Sequence, residues 1–367
     1  MTTEAGGLKE ALARRGMSRR DFLKFCAAMT AVLALPHRYV PQVAAALEEN
    51  SRPPLLWLEY QDCAGNTESL LRAWKPTVAQ LVLDILSLDY HETVMAPAGH
   101  QAEKSLMDTV AAYPGQYLVV VEGSIPTKDG GIYCTVGGRT ALDLVQEIGG
   151  NAAAIIAAGT CAAYGGIPAA APNPTGAVGV GDLVNGVPII NLPGCPMNVD
   201  NLTATVVHFI TFGALPATDQ RGRPLFAYGS RIHDDCERRA HYDAGQFVEE
   251  WGDAGHRKGW CLYKMGCKGP ETFHNCPMVR WNEGVSWPIG AGHGCVGCSE
   301  PNFWDTMSPF YDRLPTVPGF GVEATADKIG LGIVAAVGGA FAVHGVASAI
   351  RAKRQPLERH EVEVEEE

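Results

Sequence analysis

The stretch Ala152-Ala153-Ala154-Ile155-Ile156-Ala157-Ala158-Gly159-Thr160-Cys161 decides the fold. Its apolar run from Ala152 to Ala158 reads as a strand buried on both faces, stopping at a glycine and a cysteine. The same pattern recurs outward from it. Leu55 to Leu58 is a second apolar run, and Cys63 follows it. Val187 to Leu192 is a third, followed by Pro193-Gly194-Cys195-Pro196. Tyr117 to Val121 and Ile85 to Tyr90 also read as strands. Helical patterns lie between them at 67–74, 101–113, 140–148 and 199–212, with Thr67 as a cap and Glu68 in the first turn. Such alternation specifies a doubly wound parallel sheet. In these sheets ligands bind beyond the carboxyl ends of the strands. Cys63, Cys161 and Cys195 fall there, as does Cys134 after Gly130-Gly131-Ile132-Tyr133.

From Ala217 to Gly321 the periodicity fades, and Gly, Pro, Cys and aromatic residues dominate. This stretch reads His233-x-x-Cys236, Cys261-x5-Cys267, Cys276 and Cys295-x-x-Cys298. Together with the three upstream thiols, these clusters use nine of the eleven cysteines. Thiolates with an occasional imidazole are the ligand set of iron–sulfur clusters. A segment so poor in periodic apolar residues is expected to be held by what its cysteines bind. Two other uses of the cysteines compete. An exported chain that has lost Cys26 keeps ten, an even number suited to disulfides, but the chain is far larger than disulfide-stapled domains. Zinc at Cys295-x-x-Cys298 is the other. Trp57, Trp251, Trp260, Trp281, Trp287 and Trp304 are expected to pack around the clusters and exclude water. His91, His100 and His208 read as core or surface groups. There is no phosphate-binding Gly-x4-Gly-Lys-Ser/Thr motif and no His-Glu-x-x-His.

The two ends carry addresses. Ser18-Arg19-Arg20-Asp21-Phe22-Leu23-Lys24 has the pattern of a twin-arginine export signal. An apolar stretch from Phe25 to Leu35 follows it, and Ala44-Ala45-Ala46 offers a small-residue cleavage site. That export route carries folded proteins, so clusters are inserted before export. Near the other end, Ile329 to Ile350 contains no Asp, Glu, Lys or Arg and is long enough to span a bilayer. Arg351, Lys353 and Arg354 flank it, which places that flank in the cytoplasm and the globular body outside. His344 is the one titratable group within the span. The 367 residues allow two domains, and 46% hydrophobic with 19% charged residues is a globular composition. A net charge of −11 excludes the basic footprint of a nucleic-acid binder.

Long strings in the chain resemble the small, electron-transferring subunit of membrane-bound nickel–iron uptake hydrogenases. They include Arg231-Ile232-His233-Asp234-Asp235-Cys236, His241-Tyr242-Asp243-Ala244-Gly245, and the run from Gly259 through Cys261 and Cys267 to Pro270. Gly292-His293-Gly294-Cys295-Val296-Gly297-Cys298, Gly159-Thr160-Cys161 and Pro193-Gly194-Cys195-Pro196 complete the match. The resemblance implies a flavodoxin-like domain over 47–215 after a signal at 1–46. It further implies an irregular iron–sulfur domain over 216–325, a transmembrane helix over 326–354 and an acidic tail over 355–367. It implies two four-iron (4Fe-4S) clusters and one three-iron (3Fe-4S) cluster. The proximal four-iron cluster would use Cys63, Cys161 and Cys195; the distal one His233, Cys236, Cys261 and Cys267. The medial three-iron cluster would use Cys276, Cys295 and Cys298. The implied partners are a large subunit that bears the nickel–iron site, a membrane cytochrome b that passes electrons to quinone, and membrane lipid.

The first loop departs from the family pattern. Asn66 stands where a second proximal cysteine belongs, and Gly65 stands where oxygen-tolerant members carry an extra one. Asp62 is the expected fourth proximal ligand and Cys134 its rival. The alternatives to a hydrogenase subunit are an exported, free-standing iron–sulfur carrier and a respiratory quinone-reductase subunit. A carrier would show a polar edge around Cys63, whereas a subunit would hide that edge in an interface.

Overall fold

The computed structural model describes residues 17–49, 52–313 and 326–354. Five parallel strands form the central sheet: β1 (Pro54–Glu59), β2 (Ser87–His91), β3 (Leu118–Glu122), β4 (Ala154–Ala158) and β5 (Ile189–Leu192). Their order is β2-β1-β3-β4-β5, the flavodoxin-like arrangement, whose order reverses between β1 and β3. Register aligns Glu59 with Glu122, Glu122 with Ala158, and Ala158 with Leu192. The carboxyl ends therefore lie in one row, and the loops carrying Cys63, Cys161 and Cys195 leave from that row.

Seven helices accompany the sheet: α1 (Arg19–Val32), α2 (Val40–Glu48), α3 (Gly65–Leu71), α4 (His100–Ala112), α5 (Ala141–Gly149), α6 (Gly159–Tyr164) and α7 (Val199–Phe212). The period-two alternation of the strands divides them between two cores. Leu55, Trp57, Val120 and Ile156 face one side with α1, α2 and α7. Leu56, Leu58, Val121 and Ile155 face the other with α4 and α5. Thr140, read from the sequence as the first residue of a helix over 140–148, is instead the cap of α5 and accepts from the Asp143 backbone N–H.

Two local expectations fail. Helix α3 starts at Gly65 behind a left-handed Ala64, so Thr67 lies inside it and is not its cap. The Thr67 hydroxyl instead donates toward two buried carboxylates. Ile85 closes a π-helical turn, Leu81–Ile85, and β2 begins only at Ser87. A hydrophobic residue next to a strand is drawn into the helical turn that covers it.

The amino-terminal segment is folded onto the body. Phe22, Phe25, Cys26, Met29, Val43 and Leu47 are buried in the same core as Leu202, Val206 and Val207 of α7. Arg19 and Arg20 remain exposed.

Between α7 and residue 313 the helices are short, as the loss of periodicity predicts. The core there is built from Ile232, Val248, Leu262, Trp287 and Ile289 with Cys267, Cys276 and Cys295. A buried Arg223–Glu300 pair at 2.9 Å ties the start of this region to its later loops, and Glu300 also accepts from the Phe273 backbone N–H. The last helix, Ala326–Arg354, includes a 21-residue apolar span, Leu331–Arg351, of mean hydropathy 1.9 with none of it buried. The expected tail over 355–367 and the signal residues before 17 lie outside the described residues.

Candidate metal centres

All eleven cysteines are free thiols, which removes the disulfide alternative. Nine of them gather into three groups strung between the sheet and the carboxyl-terminal region.

The upstream group lies at the row of strand ends. Cys63 and Cys195 are exposed and Cys161 is half-buried. Gly166 adopts a φ of 56°, and a Cβ there would sit 2.5 Å from the Cys161 sulfur, so only glycine leaves that thiol room. The Ile167 backbone N–H donates to the same sulfur.

Beneath these thiols lies a carboxylate cluster. Oxygens of Glu59, Asp62 and Glu122 lie within 4.8 Å of one another. Glu122 is fully buried and accepts from Trp57 Nε1 (3.0 Å), the Asn66 backbone N–H (2.8 Å), Asn66 Nδ2 (3.2 Å) and the Thr67 hydroxyl (2.7 Å). Thr67 also reaches Glu59 at 2.8 Å. Asn66 Oδ1 accepts from the Met197 backbone N–H at 2.8 Å, so its amide is spent holding two loops together. Asp62 accepts from the Ala64 N–H at 2.6 Å, and burial outweighs that bond to push its carboxyl up. The charges acting on Cys161 include Cys63, Asp62 and Glu122. Those acting on Cys134 are Glu92 and Asp62, with none from the other thiols of the group. Sequence reasoning misses Glu59 and Glu122 as site residues. Their signal is visible all the same, because each closes a fully apolar strand at the switch point.

The second group lies within the carboxyl-terminal core. Cys276, Cys295 and Cys298 line a cavity of about 400 Å³ with His274, Trp281, Trp287 and Pro288. Burial pushes all three thiols up. The Gly297 backbone N–H lies 3.4 Å from the Cys295 sulfur. His274 is buried, and burial, then Arg223, holds its imidazole down to about 3.

The third group is His233, Cys236, Cys261 and Cys267, which line one cleft with Leu262, Tyr263 and Ile289. Burial foremost brings His233 down to about 4, the neutral form that ligates metals. Burial raises Cys236 to about 11 and Cys261 to about 12. Opposing it are backbone N–H groups two residues on: Arg238 for Cys236, Tyr263 for Cys261 and Gly269 for Cys267. Amides turned toward sulfur in this way suit a thiolate, because they neutralise charge that a buried thiol does not carry.

Two features join the groups. Cys195 and Cys298 line the same cavity, and the Cys295 N–H donates to Cys267 at 3.3 Å. The expected tryptophan shell holds in part. Trp57 sits under the first group and Trp281 and Trp287 line the second, but Trp251 and Trp304 are exposed. The donor sets fit iron–sulfur clusters: all-thiol or thiol-plus-imidazole, buried in two of three places, with amide donors to sulfur.

Residues 228–311 match the family model for the C-terminal part of the NiFe/NiFeSe hydrogenase small subunit. Residues 63–209 match that of the NADH ubiquinone oxidoreductase 20 kDa subunit. The uptake hydrogenase small subunit of Azotobacter vinelandii is 47% identical over 93% of this chain and 95% of its own length. The quinone-reactive Ni/Fe-hydrogenase small chain of Wolinella succinogenes is 49% identical over 92% and 97%. The Ni-Fe-Se hydrogenase of Desulfomicrobium baculatum superposes with a TM-score of 0.68 at 36% identity, over 72% of this chain and 100% of that one. The actinobacterial-type NiFe-hydrogenase of Ralstonia eutropha gives 0.68 at 26% identity, over 86% and 95%.

Proposed function

The chain belongs to the small-subunit family of NiFe hydrogenases, and from that premise we propose that it carries electrons from hydrogen oxidation through three clusters to a membrane acceptor. The catalytic nickel–iron site of such an enzyme is on its large subunit. When bound, the clusters supply reversible one-electron acceptance. Cys63, Cys161, Cys195 and Asp62 hold the proximal four-iron cluster. Cys276, Cys295 and Cys298 hold the medial three-iron cluster, and His233, Cys236, Cys261 and Cys267 the distal four-iron cluster.

The observation that carries this reading is the chain of contacts between the groups. Cys195 and Cys298 line one cavity, and the Cys295 N–H donates to the Cys267 sulfur at 3.3 Å, so the three donor sets follow one another in a line. The proximal end of that line is open. Cys63 and Cys195 are exposed there, and Ile167, next to the glycine that packs on Cys161, is 42% exposed, which suits a large-subunit interface better than the polar edge of a free carrier. Asp62 is favoured over Cys134 as the fourth proximal ligand because it directly precedes Cys63 and its carboxylate joins the cluster with Glu59 and Glu122, whereas Cys134 packs against the core of α4 and α5.

The globular body faces the periplasm, exported by the segment that bears Arg19 and Arg20. The span Leu331–Arg351 lies in lipid, beside a cytochrome b that reduces quinone. The test is hydrogen-driven reduction of a redox dye by the complex that co-purifies with this chain, tagged after Glu367. Activity with a nickel-bearing partner is the expected result. An iron-loaded chain with neither partner nor activity would establish the carrier instead.

A further inference from the structure

We propose that His274 is a positioning residue that donates a hydrogen bond from Nδ1 to the Cys276 thiolate and thereby raises the potential of the medial cluster. The inference rests on the assignment of Cys276, Cys295 and Cys298 to a three-iron cluster.

The geometry is specific. His274 Nδ1 lies 3.0 Å from Cys276 Sγ, and the ring is 2% exposed. Its other nitrogen, Nε2, is buried and has no partner among the described residues. A cysteine that binds iron is a thiolate and has no proton to give, so the bond forms only if Nδ1 carries the proton. The environment selects that tautomer. Placing the proton on Nε2 would strand a buried donor, whereas placing it on Nδ1 strands only a lone pair. Tyr228 packs edge-on against the ring at 5.0 Å and fixes its plane.

Cys276 is set apart from the other two medial thiols. An imidazole nitrogen lies within hydrogen-bond distance of its sulfur, and the Trp281 ring lines the same cavity. The Cys295 sulfur accepts from a backbone amide. Donors to a ligating sulfur withdraw charge from the iron, and this favours the reduced state, which carries one more electron. The cluster between two others thus becomes an electron well whose depth is set partly by a histidine that touches no iron.

The test is an electrochemical titration of the purified large–small complex, read by the paramagnetic signal of the oxidised three-iron cluster. His274→Leu removes the donor. His274→Asn keeps one, because its amide nitrogen occupies nearly the position of Nδ1. The expected result is a roughly tenfold fall in the equilibrium constant for one-electron reduction in the leucine variant, about 59 mV, with most of it restored in the asparagine variant. An unchanged potential in the leucine variant overturns the inference.

A second measurement needs no substitution. With 15N-labelled histidine, pulsed paramagnetic resonance of the oxidised wild-type complex should show a weak coupling to one imidazole nitrogen, and its absence overturns the inference. If the wild-type complex shows no three-iron signal at all, the cluster assignment itself fails. That outcome is distinct from a signal whose potential ignores residue 274.

Discussion

At the scale of single residues, the proximal site turns on Asp62, Asn66 and Glu122. Asn66 is engaged on both faces, by Met197 and by Glu122, so the position that would carry a second loop cysteine serves as a structural bridge. In the proposed assignment Asp62 completes the proximal ligands. Iron-edge spectroscopy of Asp62→Ala should show an altered proximal cluster, while Cys134→Ala should match the wild type. The reverse pattern would transfer the role to Cys134. His91 makes a separate prediction. It is fully buried against Trp57, and burial lowers its pKa from 6.5 to about 4, with Glu122 pulling more weakly the other way. Between those values the unfolded chain binds a proton that the folded one refuses. Stability therefore rises with pH across the window and is lost on acidification toward pH 4, by on the order of 3 kcal/mol. The thermal midpoint of His91→Asn should fall less steeply from about pH 6.5 to 4.5 than that of the wild type. An equal slope would show that other groups carry the acid sensitivity.

At the scale of elements, the sheet domain is legible because each strand is a closed apolar run and each helix between them has a clear period. The predicted span 199–212 coincides with the observed helix Val199–Phe212. The boundaries that slip, at Thr67 and Ile85, do so where side chains serve the site or a tight turn and not a period. The carboxyl-terminal region is legible only as a set of ligands. Its elements are four or five residues long and depend on contacts far apart in sequence, such as Arg223 with Glu300. That pair gives an element-scale prediction. Both partners are almost fully buried, at 4% and 6% exposure, so Arg223→Met leaves a buried carboxylate with a poorer partner. The expected cost is about 3–5 kcal/mol in chemical denaturation of the complex. Lys104→Ala breaks an exposed i,i+4 pair with Asp108 and should cost under about 1 kcal/mol. Similar costs for both would mean that the Arg223–Glu300 pair does not hold the carboxyl-terminal region together.

At the scale of the whole molecule, a sheet domain and an irregular carboxyl-terminal region are followed by one exposed apolar helix. In the proposed function the donor sets run from the exposed thiols Cys63 and Cys195 to the His233 group, which separates entry and exit of electrons. Removing the chain beyond residue 325 should release the complex from membranes with dye reduction retained and quinone reduction lost. Retention on the membrane would deny the helix its anchoring role. The amino-terminal segment reads as an export address, which gives no hint that Phe22, Phe25 and Leu47 complete a core with α7. An apolar signal sequence and an apolar packing face look alike along the chain. The central claim is that the three donor sets form one electron path. The most direct measurement is low-temperature paramagnetic resonance of the purified large–small complex before and after exposure to hydrogen. The account predicts that the oxidised three-iron signal disappears and that signals of two reduced four-iron clusters arise, interacting with each other. Hydrogen consumption with an unchanged three-iron signal, or with signals of fewer clusters, would contradict it.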